Sequence, residues 1–124
     1  MNRIEYDTSQ TGLEAVLRGW QVKLLKVVWA SNQGLKSSQA HEKVKAALGS
    51  ESISRASVIN FLESMREAGV LRGVEETGKG GYHWVYYTAM DEAEFKRFVA
   101  SRLIESLMGS FPSETQAALK KMDH

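Results

Sequence analysis

The side chains best suited to specific hydrogen bonding lie at the start of the third helical segment of the sequence. Arg55 can donate two parallel hydrogen bonds to a guanine edge, and Asn60 can pair in the same way with adenine. Ser54 and Ser57, with the free backbone amides of a helix start, suit phosphate oxygens. Ser64 follows Asn60 one turn later. The same residues would also suit a helix cap and a solvated surface, so the pattern leaves both interpretations open.

Candidate phosphate ligands also lie outside that segment. Lys36, Ser37 and Ser38 open the second helical segment, and Lys79 lies between glycines in a predicted turn. Lysine and hydroxyl side chains that meet the phosphate backbone position a protein on a duplex without reading its sequence. Lys79 could equally be a turn residue that favours solubility.

The charge of the chain is unevenly distributed. The formal net charge is only +1. Residues 18–66, however, carry eight basic and three acidic side chains, a balance of +5, and the remainder carries −4. Such asymmetry can leave one basic face on a nearly neutral protein, although solvated helix faces give the same count.

Several classes of site have no support in the composition. There is no cysteine, which excludes disulfides, thiolate nucleophiles and cysteine-based metal sites. The histidines are scattered, and no nucleophile lies near a base, so we predict no metal site, no cofactor and no enzymatic activity. The polar start of the sequence and the lack of an apolar run of about 20 residues predict a cytoplasmic protein that does not enter the membrane.

Hydrophobic periodicity predicts a mainly α-helical chain with a small β-hairpin. Residues 1–17 would form an arm or a short extra helix, for which Thr11–Glu14 has capping-box spacing. Three helices follow, and a change to alternating periodicity then marks two strands, 71–76 and 82–88, around a glycine-rich turn. A long helix opens at Asp91, and a short one follows Pro112.

Particular residues define these elements. Ser37 or Ser38 can cap the second helix, whose buried face would be Ala40, Val44, Ala47 and Leu48. The third helix runs over 54–68, with Ser54 as its N-cap and Gly69 as the left-handed residue after its end. The aromatic side chains of the second strand could stack on bases, but such residues in a short hairpin more often pack against helices; they are Tyr82, Trp84, Tyr86 and Tyr87.

The order helix, helix, helix, hairpin, long helix is that of a winged helix-turn-helix protein. We therefore expect a DNA-binding domain over 18–89 and a C-terminal helical dimerisation region over 90–124. The long helix carries an apolar stripe too wide for a terminal helix that lies alone on a small domain. The predicted dimer interface consists of Phe95, Phe98, Val99, Leu103, Ile104, Leu107, Met108 and Phe111.

Four stretches resemble the penicillinase-repressor family of winged-helix regulators: Leu24–Trp29, Ser57–Leu62, Ala68–Leu71 and Tyr86–Thr88. The resemblance covers residues 18–111 and implies a dimeric transcriptional repressor, with its DNA module first and its dimerisation helices last. The chain departs from the family where basic residues are common late in the recognition helix. It has Glu63, Ser64 and Ala68 there, and it has Glu75 and Glu76 in the wing.

Together these features predict a regulator that binds duplex DNA in a sequence-specific manner as a homodimer. Two alternatives remain open at the level of sequence. The acidic strand and the modest net charge also suit a winged-helix module that binds another protein. A regulator of the MarR type, with a small-molecule effector between its dimer helices and its DNA module, has the same order of elements.

Overall fold

The computed structural model describes residues 4–78 and 81–123. It is mainly helical and has a small three-stranded antiparallel sheet, which confirms the prediction of a mainly α-helical chain with a small β-hairpin. A short 3₁₀ helix (Gly12–Ala15) comes first. The elements that follow are α1 (Gly19–Ala30), β1 (Leu35–Lys36), α2 (Ser37–Leu48), α3 (Arg55–Glu67), β2 (Leu71–Gly78), β3 (Gly81–Thr88), α4 (Glu92–Ser110) and α5 (Pro112–Met122).

The hairpin gains a third strand that the sequence did not predict. Strand β3 is central, with β2 on one side and the two-residue strand β1 on the other, where Leu35 pairs with Tyr86. Gly34 makes this pairing possible. A Cβ at Gly34 would overlap Val85 Cγ1 and lie 2.6 Å from Tyr87 Cζ, so only glycine lets the chain approach the sheet so closely.

The core lies where the buried faces of α1, α2 and α3 meet the sheet and the start of α4. Leu24, Val44 and Leu62 are completely buried there, one from each of the three helices. Trp29 ties α1 to the start of α4, because its Nε1–H donates to the Met90 carbonyl at 2.8 Å. Ala47, predicted to be buried, is exposed. The roll of α2 is set by Ala40, Val44 and Leu48, four residues apart, which leaves Ala47 on the flank.

The ends of two helices follow the predicted signals. The Ser54 hydroxyl accepts a hydrogen bond from the Ser57 N–H at 3.1 Å and so caps α3. Gly69, just beyond α3, has a φ of +82°, as a left-handed residue after a helix end requires. Asp91 and Glu94 form a capping box at the start of α4.

The start of α2 differs from the prediction. The helix begins at Ser37 itself, Lys36 holds the cap position, and the Lys36 N–H donates to Gln39 Oε1 at 2.9 Å. The prediction of a serine cap was therefore wrong. Lys36 pairs with Val85 of β3 and is held extended, so the chain enters the helix directly from the strand.

The segment before α1 is a packed appendage with little helix. The helix predicted from Thr11 is reduced to the 3₁₀ turn, and the Thr11 side chain makes no capping hydrogen bond. Leu13 and Leu17 are nevertheless buried in the core. In the part of the chain that the structure describes, no helix combines the length and the apolar character that crossing a bilayer demands.

Candidate nucleic-acid interface

The outer surface of α3 carries the polar residues that the sequence singled out. Burial of Val58, Leu62 and Met65 fixes the roll of the helix. Arg55 and Asn60 are consequently exposed to solvent. Both side chains are therefore free of the core and reach outward from the solvent-facing side of the N-terminal half of α3.

The two serines at the start of α3 bind each other. The Ser54 hydroxyl, which caps the helix, also donates to the Ser57 hydroxyl at 2.9 Å. Ser54 is exposed and Ser57 is half-buried. The cap interpretation thus holds for Ser54, and the proton of the Ser57 hydroxyl remains able to point to an incoming phosphate oxygen.

The start of α2 lies beside the sheet. Lys36 is exposed there, whereas Ser37 and Ser38 are half-buried in the first turn. Lys36 lines an open groove of about 410 Å³ between α2 and the sheet, and Glu76 of β2 lines the same groove. The groove is therefore lined by side chains of both charges. Lys79, the candidate at the hairpin turn, lies outside the residues that the structure describes.

A polar cluster joins α3 to β3. The Tyr86 hydroxyl donates to Glu63 Oε1 at 2.7 Å. Arg66 donates to Glu63 Oε2 through Nε at 2.9 Å and through Nη2 at 2.7 Å. The Arg66 guanidinium also lies over the Trp84 ring, 4.5 Å from its centroid. We call Glu63, Arg66, Trp84 and Tyr86 the α3–β3 cluster.

The electrostatics of the α3–β3 cluster follow from these contacts. Partial burial raises the pKa of Glu63, but the hydrogen bonds from Tyr86 and Arg66 and the charge of Arg66 outweigh it and leave the pKa below its ordinary value. Burial, and then the hydrogen bond to Glu63, raise the pKa of the Tyr86 phenol. Glu63 is thus ionised at neutral pH while Tyr86 keeps its proton.

The cluster changes how the charge of α3 is interpreted. Arg66 contributes to the basic balance of the sequence, yet its charge is paired with Glu63 and its plane is stacked on Trp84. The negative charge of Glu63, late in the helix, is likewise paired with Arg66. Arg55 is the basic residue of α3 that presents an exposed side chain. Ser64, the remaining candidate on α3, is half-buried.

The hairpin shows which aromatic residues serve packing. Tyr86 is buried, and Trp84 is half-buried beneath Arg66. Tyr87 carries the Arg72 guanidinium 5.0 Å from its ring centroid. These contacts support the packing interpretation over base stacking for the three residues. Glu75 and Glu76 are exposed on β2, at the edge of the sheet.

The C-terminal stripe divides between the core and the surface. Phe95 is completely buried and Val99 is 8% exposed. These two residues were predicted to contact a second subunit, but the core of their own chain already covers them. Phe98 and Leu103 are half-buried and pack against the same core.

The rest of the stripe has no such cover. Ile104 is 40% exposed, Leu107 is 47% exposed and Phe111 is 57% exposed, while Met108 is half-buried. Helix α5 adds Leu119 and Met122, which the sequence prediction did not include. Within the described ranges, these five residues (Ile104, Leu107, Phe111, Leu119 and Met122) make up most of the exposed large hydrophobic side chains, and we call them the apolar face.

Helix α5 is held against the end of α4. The Thr115 hydroxyl donates to the Leu107 carbonyl at 3.1 Å, and Thr115 is itself buried. The Phe111 carbonyl accepts from the Thr115 N–H at 2.9 Å. The two helices therefore form one unit beyond the core, and the apolar face belongs to that unit.

A second groove, of about 280 Å³, runs between the N-terminal segment and α4. Tyr6, Val16 and Leu103 line it, together with Lys96, whose ammonium lies 3.0 Å from Glu92 Oε2. The groove lacks the convergent polar groups that orient a small ligand. Across residues 4–78 and 81–123, no three histidine or carboxylate side chains converge as a metal site would require.

Comparison of the sequence with models of known protein families gives no match, and comparison with curated proteins gives none either.

Proposed function

We propose that the chain is a winged-helix transcriptional regulator that binds duplex DNA as a homodimer. The observation that carries the proposal is the position of α3. The outer side of its N-terminal half presents the exposed residues Arg55 and Asn60. The helix follows α2 in a helix-turn-helix order, and it leads into the β2–β3 hairpin. In such an arrangement α3 is the recognition helix and the hairpin is the wing.

The chemistry of α3 suits direct reading of bases. An α-helix fits the major groove of B-DNA, and residues near the N-terminus of a recognition helix meet the base edges. Arg55 lies at the first position of α3 and Asn60 lies between one and two turns further on. Arg55 would bind guanine, Asn60 would bind adenine, and Ser57 would bind a backbone phosphate beside the same major groove.

Affinity must come mostly from phosphate contacts. Lys36 at the start of α2 is exposed, and the start of α2 is the part of a helix-turn-helix unit that crosses the DNA backbone. A single α3 offers one exposed cation, so one subunit would bind weakly. Two subunits double the phosphate contacts, and this gives the apolar face its role in the proposal.

The apolar face supports the dimer. Contiguous apolar side chains left exposed by one subunit are a common sign of a protein interface. Ile104 and Leu107 of α4, and Phe111 directly after it, lie beyond the core, so a second copy could cover them without disturbing either DNA-binding part. A twofold pair of this kind would present two α3 helices to successive major grooves, about 34 Å apart. The resemblance to the penicillinase-repressor family further suggests that the bound dimer represses transcription by occluding a promoter.

One observation favours a second candidate, a module that binds another protein. Glu75 and Glu76 are exposed on the edge strand β2, where they would repel phosphate. A basic protein partner would meet them favourably.

A salt series distinguishes the two candidates. Binding of the chain to random duplex DNA is measured by fluorescence anisotropy from low to high salt. The DNA proposal predicts that the logarithm of the association constant falls linearly with the logarithm of the salt concentration, by about 0.9 for each phosphate neutralised. Lys36→Ala should reduce that slope, and Lys120→Ala, a lysine near the far end of α5, is the matched control. No binding at low salt would overturn the proposal.

A further inference from the structure

The α3–β3 cluster is a polar link between the two elements proposed to contact DNA. Glu63 lies in the third turn of α3 and uses both carboxylate oxygens, one for Tyr86 of the sheet and one for Arg66 of its own helix. Tyr86 is 2% exposed, so its hydroxyl reaches Glu63 from a ring that is fixed in the core.

Arg66 is held on three sides. Glu63 binds two of its nitrogens, the Trp84 ring lies against the guanidinium plane, and Gly73 of β2 leaves the room for its aliphatic stem. A Cβ at Gly73 would overlap Arg66 Cδ and lie 3.0 Å from Trp84 Cε3. The side chain therefore spans from α3 to both strands of the hairpin.

We propose that Glu63 is a positioning residue that fixes the hairpin relative to α3. Tyr86 and Trp84 both belong to β3, which pairs with β2 along its whole length. Holding these two side chains at successive points along α3 resists rotation and sliding of the hairpin against the helix. The consequence for DNA binding rests on the proposed function, since the wing and the recognition helix must reach the duplex together.

The use of a carboxylate here is informative. A glutamate on a DNA-facing helix repels phosphate, and its removal should by charge alone strengthen DNA binding. Glu67, one turn further along α3, is exposed and provides the comparison. If Glu63 positions the hairpin, its removal should instead weaken binding.

The test uses the full chain and four variants: Glu63→Ala, Glu63→Gln, Tyr86→Phe and the control Glu67→Gln. Circular dichroism first establishes a temperature at which each is folded. Affinity for duplex DNA and amide hydrogen exchange are then measured at that temperature. Glu63→Ala and Tyr86→Phe should weaken binding by about tenfold, the order expected for a lost hydrogen bond to a charged group. Glu63→Gln, which keeps an acceptor for Tyr86, should lie between Glu63→Ala and the wild type, and Glu67→Gln should bind as tightly as the wild type or more tightly.

Hydrogen exchange gives a readout that does not depend on DNA. Loss of the hydrogen bonds made by Glu63 should accelerate exchange in residues 71–78 and 81–88 while leaving exchange in α1 and α4 unchanged. Uniform acceleration along the chain would overturn the inference, because it would show a loss of global stability only. Stronger DNA binding by Glu63→Ala would overturn it as well. Failure of the wild type to bind any duplex would refute the proposed function, and the exchange pattern would still decide the role of Glu63.

Discussion

The clearest consequence of the apolar face concerns Leu107. Replacing it by aspartate should convert the proposed dimer to a monomer without unfolding the chain. Leu107 is 47% exposed in the single subunit and lies beyond the part of α4 that enters the core, so an aspartate there remains hydrated in the monomer. In the dimer, the same aspartate would be covered by apolar side chains of the second copy.

The magnitude follows from the exposed fraction. Complete burial of a leucine side chain stabilises by roughly 1.5–3 kcal/mol. Because about half of Leu107 is already covered, the dimer gains about 1 kcal/mol from it in each subunit, and symmetry doubles that figure. Desolvation of two carboxylates adds at least a further ~1 kcal/mol. The dissociation constant of the dimer should therefore rise at least about a hundredfold.

Sedimentation equilibrium over a wide range of protein concentration measures this constant. Ser106→Asp is the matched control, since Ser106 is an exposed neighbour on the same helix and the change in charge is identical. The control should remain dimeric, and both variants should keep the circular dichroism spectrum of the wild type. A wild-type chain that stays monomeric at every concentration would refute the reasoning, and so would equal dissociation constants for Leu107→Asp and the wild type.

Three further predictions follow from other parts of the structure. Arg55→Ala should weaken binding to a specific DNA site by about 1–3 kcal/mol in an anisotropy titration. An unchanged affinity would show that Arg55 does not contact the DNA. The pKa of Glu63 is lowered in the folded state, so its stabilising contribution is complete above the unfolded-state pKa, about 4.3, and is lost as the pH falls through the folded-state value. The free energy of unfolding, measured in urea, should accordingly fall less steeply with decreasing pH in Tyr86→Phe than in the wild type. Parallel pH profiles for the two proteins would contradict this. Gly34→Ala should lower the free energy of unfolding by about 1–3 kcal/mol, because its Cβ overlaps Val85, and urea unfolding with unaltered stability would contradict the close packing described.

Local signals in the sequence predicted the elements that position the site. The spacing of Val58, Phe61 and Leu62 gives the buried face of α3, and the cap at Ser54 and the glycine at Gly69 mark its two ends. Each of these signals acts within one or two turns of the chain, so each can be recognised without knowledge of the fold. The exposure of Arg55 and Asn60 follows from the same periodicity.

Contacts between distant parts of the chain could not be predicted in this way. Glu63 and Tyr86 are 23 residues apart, and nothing in either local pattern indicates that they bind each other. Strand β1 has two residues, too few for any alternation to show. The sequence also displays the apolar stripe of α4 as continuous, whereas the structure buries Phe95 and leaves Leu107 exposed, because the core ends midway along the helix.

The central claim is that two copies of α3 read one DNA site, and selection of binding sequences from a random duplex library tests it most directly. The account predicts enrichment of an inverted repeat whose half-site centres lie one helical turn, about 10 base pairs, or a multiple of it apart. Selection with Arg55→Ala should relax the preference at one position of each half-site. A library that shows no enrichment, or enrichment of a single asymmetric site that Arg55→Ala leaves unchanged, would contradict the account.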